Sequence, residues 1–250
     1  MKKILKKIII IFTLSTMINN LSFSETINIP PKNSSEYSFL YTNAMNSAYS
    51  TVETVSVLDN FATNKSDSSP FSGQLVEFNK NSEIKAVKNF KDGRYDGKVY
   101  YYHDNGMLSK IQEYQGGIQV GEEIEFYSSG ISKFIRNYKN GILNGLTYEF
   151  DPIGVLTSIT NYVNNRKEGK ELIVLNGVIS LENNYTNGML NGLSTSYYQD
   201  GTIRSTGKYV NNLRNGEWIW KYSDGTVKLV ENYSNGKISG NITGYYPDGN

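Results

Sequence analysis

The sequence predicts an all-β repeat fold: an elongated, twisted antiparallel meander of β-hairpins, preceded by a signal peptide and a short N-terminal helix. Three observations predict it. Aromatic residues return at intervals of 23 or 24 residues, at Phe90, Tyr114, Tyr138, Tyr162, Tyr185, Tyr209 and Tyr233. Seven residues after each stands a glycine: Gly97, Gly121, Gly145, Gly169, Gly192, Gly216 and Gly240. Between the glycines, large apolar and polar residues alternate, which is the period of a half-buried strand.

Taken in order, the first segment is an address. Met1 to Lys7 carries four lysines and no acid, an apolar run extends from Ile8 to about Ile18, and Ser22-Phe23-Ser24 offers small residues for a peptidase. That order predicts a secretory signal over residues 1–24. The apolar run falls short of the ~20 residues of a membrane span, and an uncleaved anchor is the rival reading. Removal after Ser24 leaves 21 basic and 24 acidic side chains. The expectation is an exported protein, periplasmic, on the cell surface or secreted, with no stable membrane span once the signal is gone.

Residues 25–72 contain no glycine. Asn33 followed by Glu36 has the form of a capping box. Apolar residues then recur at Tyr37, Tyr41, Ala44, Ala48, Val52, Val55 and Leu58, steps of three and four that share one helical face. This predicts a helix over 34–61 that packs on the repeats or on a second copy of itself. Asn64 to Ser72 reads as a linker.

The array follows from Gly73 to Asn250, about seven repeats of 24 residues and a partial eighth. Three residues after each aromatic comes Gly93, Gly117, Gly141, Asn165, Gly188, Asn212 or Gly236. Asn is the non-glycine residue that best tolerates positive φ, so these positions predict left-handed turns. A third series runs Gly106, Gly130, Gly154, Gly177, Gly201, Gly225 and Gly249. Asn105, Asn176, Asp200, Asp224 and Asp248 stand directly before five of these, a strong local hairpin signal. With Gly73, which continues the first series backwards, 20 of the 23 glycines fall in these series. The third and fifth residues after the repeat glycine are mostly large, as at Tyr100 and Tyr102, Ile124 and Phe126, Tyr148 and Phe150. A lone hairpin is marginal in water. The repeats must therefore stack side by side, a meander of about 15 strands held by rows of rings.

The run Gly216-Glu-Trp218-Ile-Trp220-Lys-Tyr222-Ser-Asp-Gly225, followed by Tyr233-Ser-Asn-Gly236, resembles a MORN repeat in its bacterial variant form. So do Tyr138-Lys-Asn-Gly-Ile-Leu-Asn-Gly145 and Tyr185-Thr-Asn-Gly-Met-Leu-Asn-Gly192. The resemblance covers residues 73–250. It implies an elongated repeat sheet, contact with protein or a membrane surface, antitoxin-labelled bacterial relatives, and no catalytic residues to carry over.

The composition narrows the chemistry. The chain has no cysteine and one histidine, which excludes thiol chemistry, disulfides and metal sites rich in Cys or His. With 25 basic and 24 acidic residues, it cannot bind nucleic acid by bulk charge. His103 beside Asp104 has the repeat equivalents Tyr127, Asp151, Tyr198, Tyr222 and Tyr246, which marks a strand end rather than a catalytic base. Glu122, Glu123 and Glu125 read as a solvated strand face, with a weak cation site as the sharper reading. No catalytic, metal-binding or cofactor-binding residue is predicted, and no cofactor. The candidate binding surface is aromatic. Trp218, Trp220 and Tyr222 alternate on one face opposite Ile219, and Tyr101 holds the matching place in an earlier repeat. Exposed, these rings suit a glycan, a peptide or another copy of the sheet; covered, they are packing. The expected function is a non-enzymatic exported scaffold for protein or envelope components. A glycan or cell-wall module and an antitoxin-type partner of a toxin are the alternatives. Self-association through a sheet edge or the N-terminal helix is a further expectation.

Overall fold

The structure is a computed structural model and describes residues 50–248. All regular structure there is β, and among the described residues no helix is long and apolar enough to cross a membrane. The chain forms two compact units whose boundary falls between Leu156 and Thr157.

The first unit begins with β1 (Ser50–Thr51), β2 (Val55–Leu58) and β3 (Phe61–Asn64). It continues through β4 (Gly73–Phe78), β5 (Ile84–Lys91), β6 (Arg94–Tyr95), β7 (Gly97–Tyr102) and β8 (Leu108–Gln115). It closes with β9 (Ile118–Phe126), β10 (Ser132–Lys139), β11 (Ile142–Leu143) and β12 (Gly145–Phe150). From β4 onward the strands pair antiparallel in sequence order, with β6 and β7 both on β5 and β11 and β12 both on β10, the predicted meander. β1 lies parallel to β4, with Ser50 opposite Leu75.

The expected helix over 34–61 does not hold where it can be checked. Residues 50–61 are strands and turns, and residues 34–49, like the expected signal peptide, lie outside the described residues. The reason is local. Val55 and Val57 alternate toward a core, and Asp59-Asn60 adopts φ 49° and 64°, a tight hairpin turn between β2 and β3. β-Branched residues at Thr51, Val52, Thr54, Val55 and Val57 favour that outcome. Leu58, assigned to the helical stripe, is exposed. The expected linker is also folded: the Asn64 N–H donates to the Ser69 carbonyl at 2.9 Å, and the chain returns to bury Phe71. Val55, Ala62, Phe71, Leu75, Phe90, Tyr95 and Val99 form one apolar cluster, with Phe90 and Tyr95 stacked at 4.6 Å.

The second unit is a meander of β13 (Leu156–Val163), β14 (Arg166–Leu175), β15 (Val178–Thr186), β16 (Met189–Leu190) and β17 (Gly192–Tyr197). β18 (Ile203–Val210), β19 (Leu213–Lys221), β20 (Val227–Ser234), β21 (Lys237–Ile238) and β22 (Thr243–Gly244) complete it. These pair antiparallel in sequence order, with β16 and β17 both on β15 and β21 and β22 both on β20.

Two kinds of turn close the hairpins. Between repeats, both central residues have positive φ, as at Asn140 (53°) and Gly141 (76°), or Asn211 (49°) and Asn212 (67°). These are the predicted left-handed positions, and they match the right-handed twist of the flanking strands. The turn N–H then donates back one repeat, as from Gly141 to the Gln119 carbonyl (2.8 Å) and from Gly236 to the Arg214 carbonyl (2.9 Å). At the repeat tips the expected two-residue turn occurs at Asn176-Gly177, which closes Leu175 onto Val178. The tips at Asn105-Gly106, Asp200-Gly201 and Asp224-Gly225 are longer. The Gly225 N–H donates to the Tyr222 carbonyl (3.0 Å), and Asp224 Oδ1 accepts from both the backbone and the hydroxyl of Thr226. The Asp or Asn thus caps a type I turn, and only the glycine is left-handed.

The repeats also alternate in form. β9, β14 and β19 run unbroken through their repeat glycines, which have φ near 70° and make a bulge. In the intervening repeats the strand breaks before the glycine, giving the pairs β6/β7, β11/β12, β16/β17 and β21/β22. At those breaks the backbone N–H of Asp96, Asn144, Asn191 or Ser239 reaches back to Asn89, Asn137, Asn184 or Asn232.

Candidate functional site: a guanidinium over buried and half-exposed indoles

The second residue after the repeat glycine is buried in the seven full repeats, as Leu75, Val99, Glu123, Thr147, Glu171, Ser194 and Trp218, whereas Ile242 in the partial eighth is exposed. In the three unbroken strands the residue four positions earlier crosses the bulge and returns to the same face. These pairs are Gln119 with Glu123, Lys167 with Glu171, and Arg214 with Trp218.

In β9, Glu123 accepts from Gln112 (2.7 Å) and Gln119 (2.9 Å) on one oxygen and from Arg136 (2.9 Å) on the other. Burial alone would raise this carboxyl. The three hydrogen bonds and the Arg136 charge outweigh it and hold the group below the ordinary value. Arg136 also reaches Glu125 at 3.1 Å. The acidic cluster read as a solvated face is therefore partly buried and already carries its own cation. In β14, Glu171 is likewise tied to Lys167, to Asn183 (3.1 Å) and to the Tyr185 hydroxyl (3.0 Å), and these contacts hold it low against its burial.

β19 differs. Trp218, one ring of the candidate binding surface, is 4% exposed, so for this ring the packing alternative holds. The facing strand explains this. Gly207 on β18 has no side chain, and a Cβ there would come within 2.2 Å of the indole. The ring therefore lies on the Gly207 backbone, and its Nε1–H donates to the Lys208 carbonyl at 3.1 Å. The guanidinium of Arg214 covers the other face, with Cζ 4.5 Å from the ring centroid. Tyr209 meets the indole edge-on at 5.1 Å. Arg214 lies over Tyr233 (5.3 Å) and donates to its hydroxyl at 3.0 Å, and that hydroxyl donates onward to Glu231 at 2.7 Å. Hydrogen bonds to Tyr209 and Tyr233 hold the Arg214 guanidinium charged, against the opposing effect of burial.

The other predicted rings are scattered in role. Trp220 is half-buried beside Trp218 (5.9 Å, planes at 35°) and 5.7 Å from Arg214 Cζ. Tyr222 is half-buried, lies under Lys228, and donates its hydroxyl to the Tyr245 carbonyl at 3.0 Å. Tyr101, in the first unit, packs on the apolar cluster around Phe90 and lies under Lys110. Tyr101 is therefore part of the packing of the first unit.

His103 has a structural duty. Its Nε2 meets the Phe126 carbonyl at 3.0 Å, one repeat ahead. The hydroxyls of Tyr127, Tyr198 and Tyr222 make the same contact with the carbonyls of Phe150, Lys221 and Tyr245. The lone histidine is one rung of a ladder otherwise built from tyrosine.

Sequence reasoning missed Arg214, Tyr209 and Tyr233 as members of the site. The signal was present in Gly207, one of the glycines outside the three periodic series, which stands one strand away from Trp218.

Four stretches match the MORN repeat variant. They are residues 95–115, 119–140, 190–211 and 214–235. Arg214, Trp218, Trp220, Tyr222 and Tyr233 all lie in the last MORN match, and Tyr101 and His103 in the first. Gly207 falls in the third MORN match, so the facing strands β18 and β19 are both covered. Comparison with curated proteins found no match.

Proposed function

We propose that this protein is an exported, non-enzymatic binding scaffold whose hairpins present side-chain rows to a protein or envelope component. The MORN-variant matches support a repeat-based binding role. The observation that carries the reading is the division of labour among its polar groups. The histidine and tyrosines that resemble catalytic side chains spend their polar atoms on carbonyls of the next repeat. The half-exposed Trp220 and the Arg214 guanidinium remain for contact with a partner. Export is supported by the lysine-rich, apolar and small-residue order of residues 1–24.

The test is cell fractionation followed by cross-linking of the full chain in place. The protein is expected beyond the cytoplasm, cross-linked to envelope material, with capture reduced at least tenfold by Trp220→Ala. Recovery in the cytoplasm rejects export. Equal capture by Trp220→Ala rejects this face as the contact.

A further inference from the structure

Glu123, Glu171 and Trp218 occupy one position of the three unbroken strands, and Gln119, Lys167 and Arg214 occupy another. In β9 and β14 the donor at the second position is bound by a carboxylate of the chain itself. β19 carries an indole in place of that carboxylate and, like β14, a cation at the second position. Arg214 makes no ion pair among the described residues, and its side-chain hydrogen bonds go to the phenols of Tyr209 and Tyr233. Glu231 stands directly across from Trp218, and its carboxylate is bound to the Tyr233 hydroxyl. That phenol stands between Arg214 and Glu231.

We propose that Arg214 and Trp220 form a binding site for a carboxylated sugar of the uronic-acid type, within a glycan. The inference rests on the scaffold reading and names the chemistry of its ligand. A guanidinium presents a planar fork of donors that matches a carboxylate. Five N–H groups are available, and the two phenols leave the rest of the fork for a ligand. The half-exposed indole of Trp220, 5.7 Å from Arg214 Cζ, offers a flat apolar face beside that charge. A pyranose ring with an exocyclic carboxylate meets both at once, its C–H face on the indole and its charge on the fork. An aspartate or glutamate side chain reaches the guanidinium without covering the indole, which is why a sugar fits better than an acidic peptide. Trp218 is the floor of the site: wedged on Gly207, it fixes the plane in which Arg214 lies.

The chain contains two tryptophans, Trp218 and Trp220, so its tryptophan emission, excited beyond the absorption of its 20 tyrosines, reports on this site alone. The experiment titrates the full chain with oligogalacturonate, its methyl ester, neutral galactose oligomers and oligoglutamate, following that emission. Saturable change is expected with oligogalacturonate, and at least tenfold weaker binding with the ester, the neutral sugar and the peptide. Arg214→Gln and Trp220→Phe should each weaken oligogalacturonate binding at least tenfold while the far-ultraviolet dichroism stays that of the wild type. Equal binding of the ester, or no response of the wild type to any sugar, overturns the proposal. Oligoglutamate binding as tightly as the sugar reassigns the site to acidic peptides and also overturns it. Wild type and Arg214→Gln that capture the same envelope material sink this inference and leave the scaffold reading standing. A wild type that captures nothing sinks the scaffold reading itself.

Discussion

Glu171 and Trp218 stand at the same place in two repeats of the second unit, on strands of the same bulged geometry. Around Glu171 the chain closes a circuit of its own, with Lys167, Asn183 and Tyr185 all turned inward on one carboxylate. Around Trp218 the same backbone holds a ring on a bare glycine and leaves a cation on top. One scaffold therefore yields a site in which cation and carboxylate pair and one in which the cation meets only rings and phenols. The difference lies in the residue at one buried position and in the volume allowed to the residue facing it.

The most disruptive way to break the contrast is to remove the ring. Trp218→Ala should lower unfolding free energy by about 3–5 kcal/mol, the usual cost of deleting a buried large side chain, read from urea unfolding of the full chain. Gly207→Val attacks the same contact from below. Its added atoms collide with the indole, so a loss of ~1–3 kcal/mol is expected, together with red-shifted tryptophan emission as the ring is lifted into water. An unshifted spectrum would mean that the glycine is not what seats the indole.

On the ion-paired side, Glu123→Gln should cost ~1–3 kcal/mol at neutral pH, because Arg136 loses a buried charged partner and keeps only Glu125. Glu123 and Glu171 are both held below the ordinary value of 4.5 in the folded chain. Their contribution is therefore complete above that value and disappears as pH falls through the lower folded value. Acid unfolding curves should show wild type and Glu123→Gln converging as pH drops below about 4. A constant gap would mean that the carboxylate charge is not the source of the stability.

The smallest effect is expected at the ladder. His103→Tyr places in the rung the residue that Tyr127, Tyr198 and Tyr222 already use, so the change in stability should stay within about 0.5 kcal/mol. A loss several times larger would show that the histidine does something the tyrosines do not.

Much of this was legible before any coordinates. The return of Tyr114 at Tyr138 and Tyr162 fixed the period, and Asn165 and Asn212 in a glycine column marked the left-handed turns. What failed had physical causes. Val55 fits both the helical stripe with Val52 and Leu58 and a strand alternation with Val57. The Asp59-Asn60 turn decides between them, and it carries no glycine to announce it. The burial of Trp218 was hidden because it depends on a partner strand, and a period within one strand says nothing about the space across from it. The acidic run at Glu122 to Glu125 looked solvated because Arg136 is distant in sequence and adjacent only after β9 and β10 pair.

The alternation between unbroken and interrupted strands has a bearing on how such a chain can grow or shrink. Because neighbouring hairpins are not equivalent, the smallest interchangeable module is two hairpins long. Excising one hairpin would set two interrupted strands, or two bulged ones, in succession and misplace the Asn89-type clasp that bridges each interruption. Excising two preserves the rhythm, so copy number in an architecture of this kind changes without damage only by even steps.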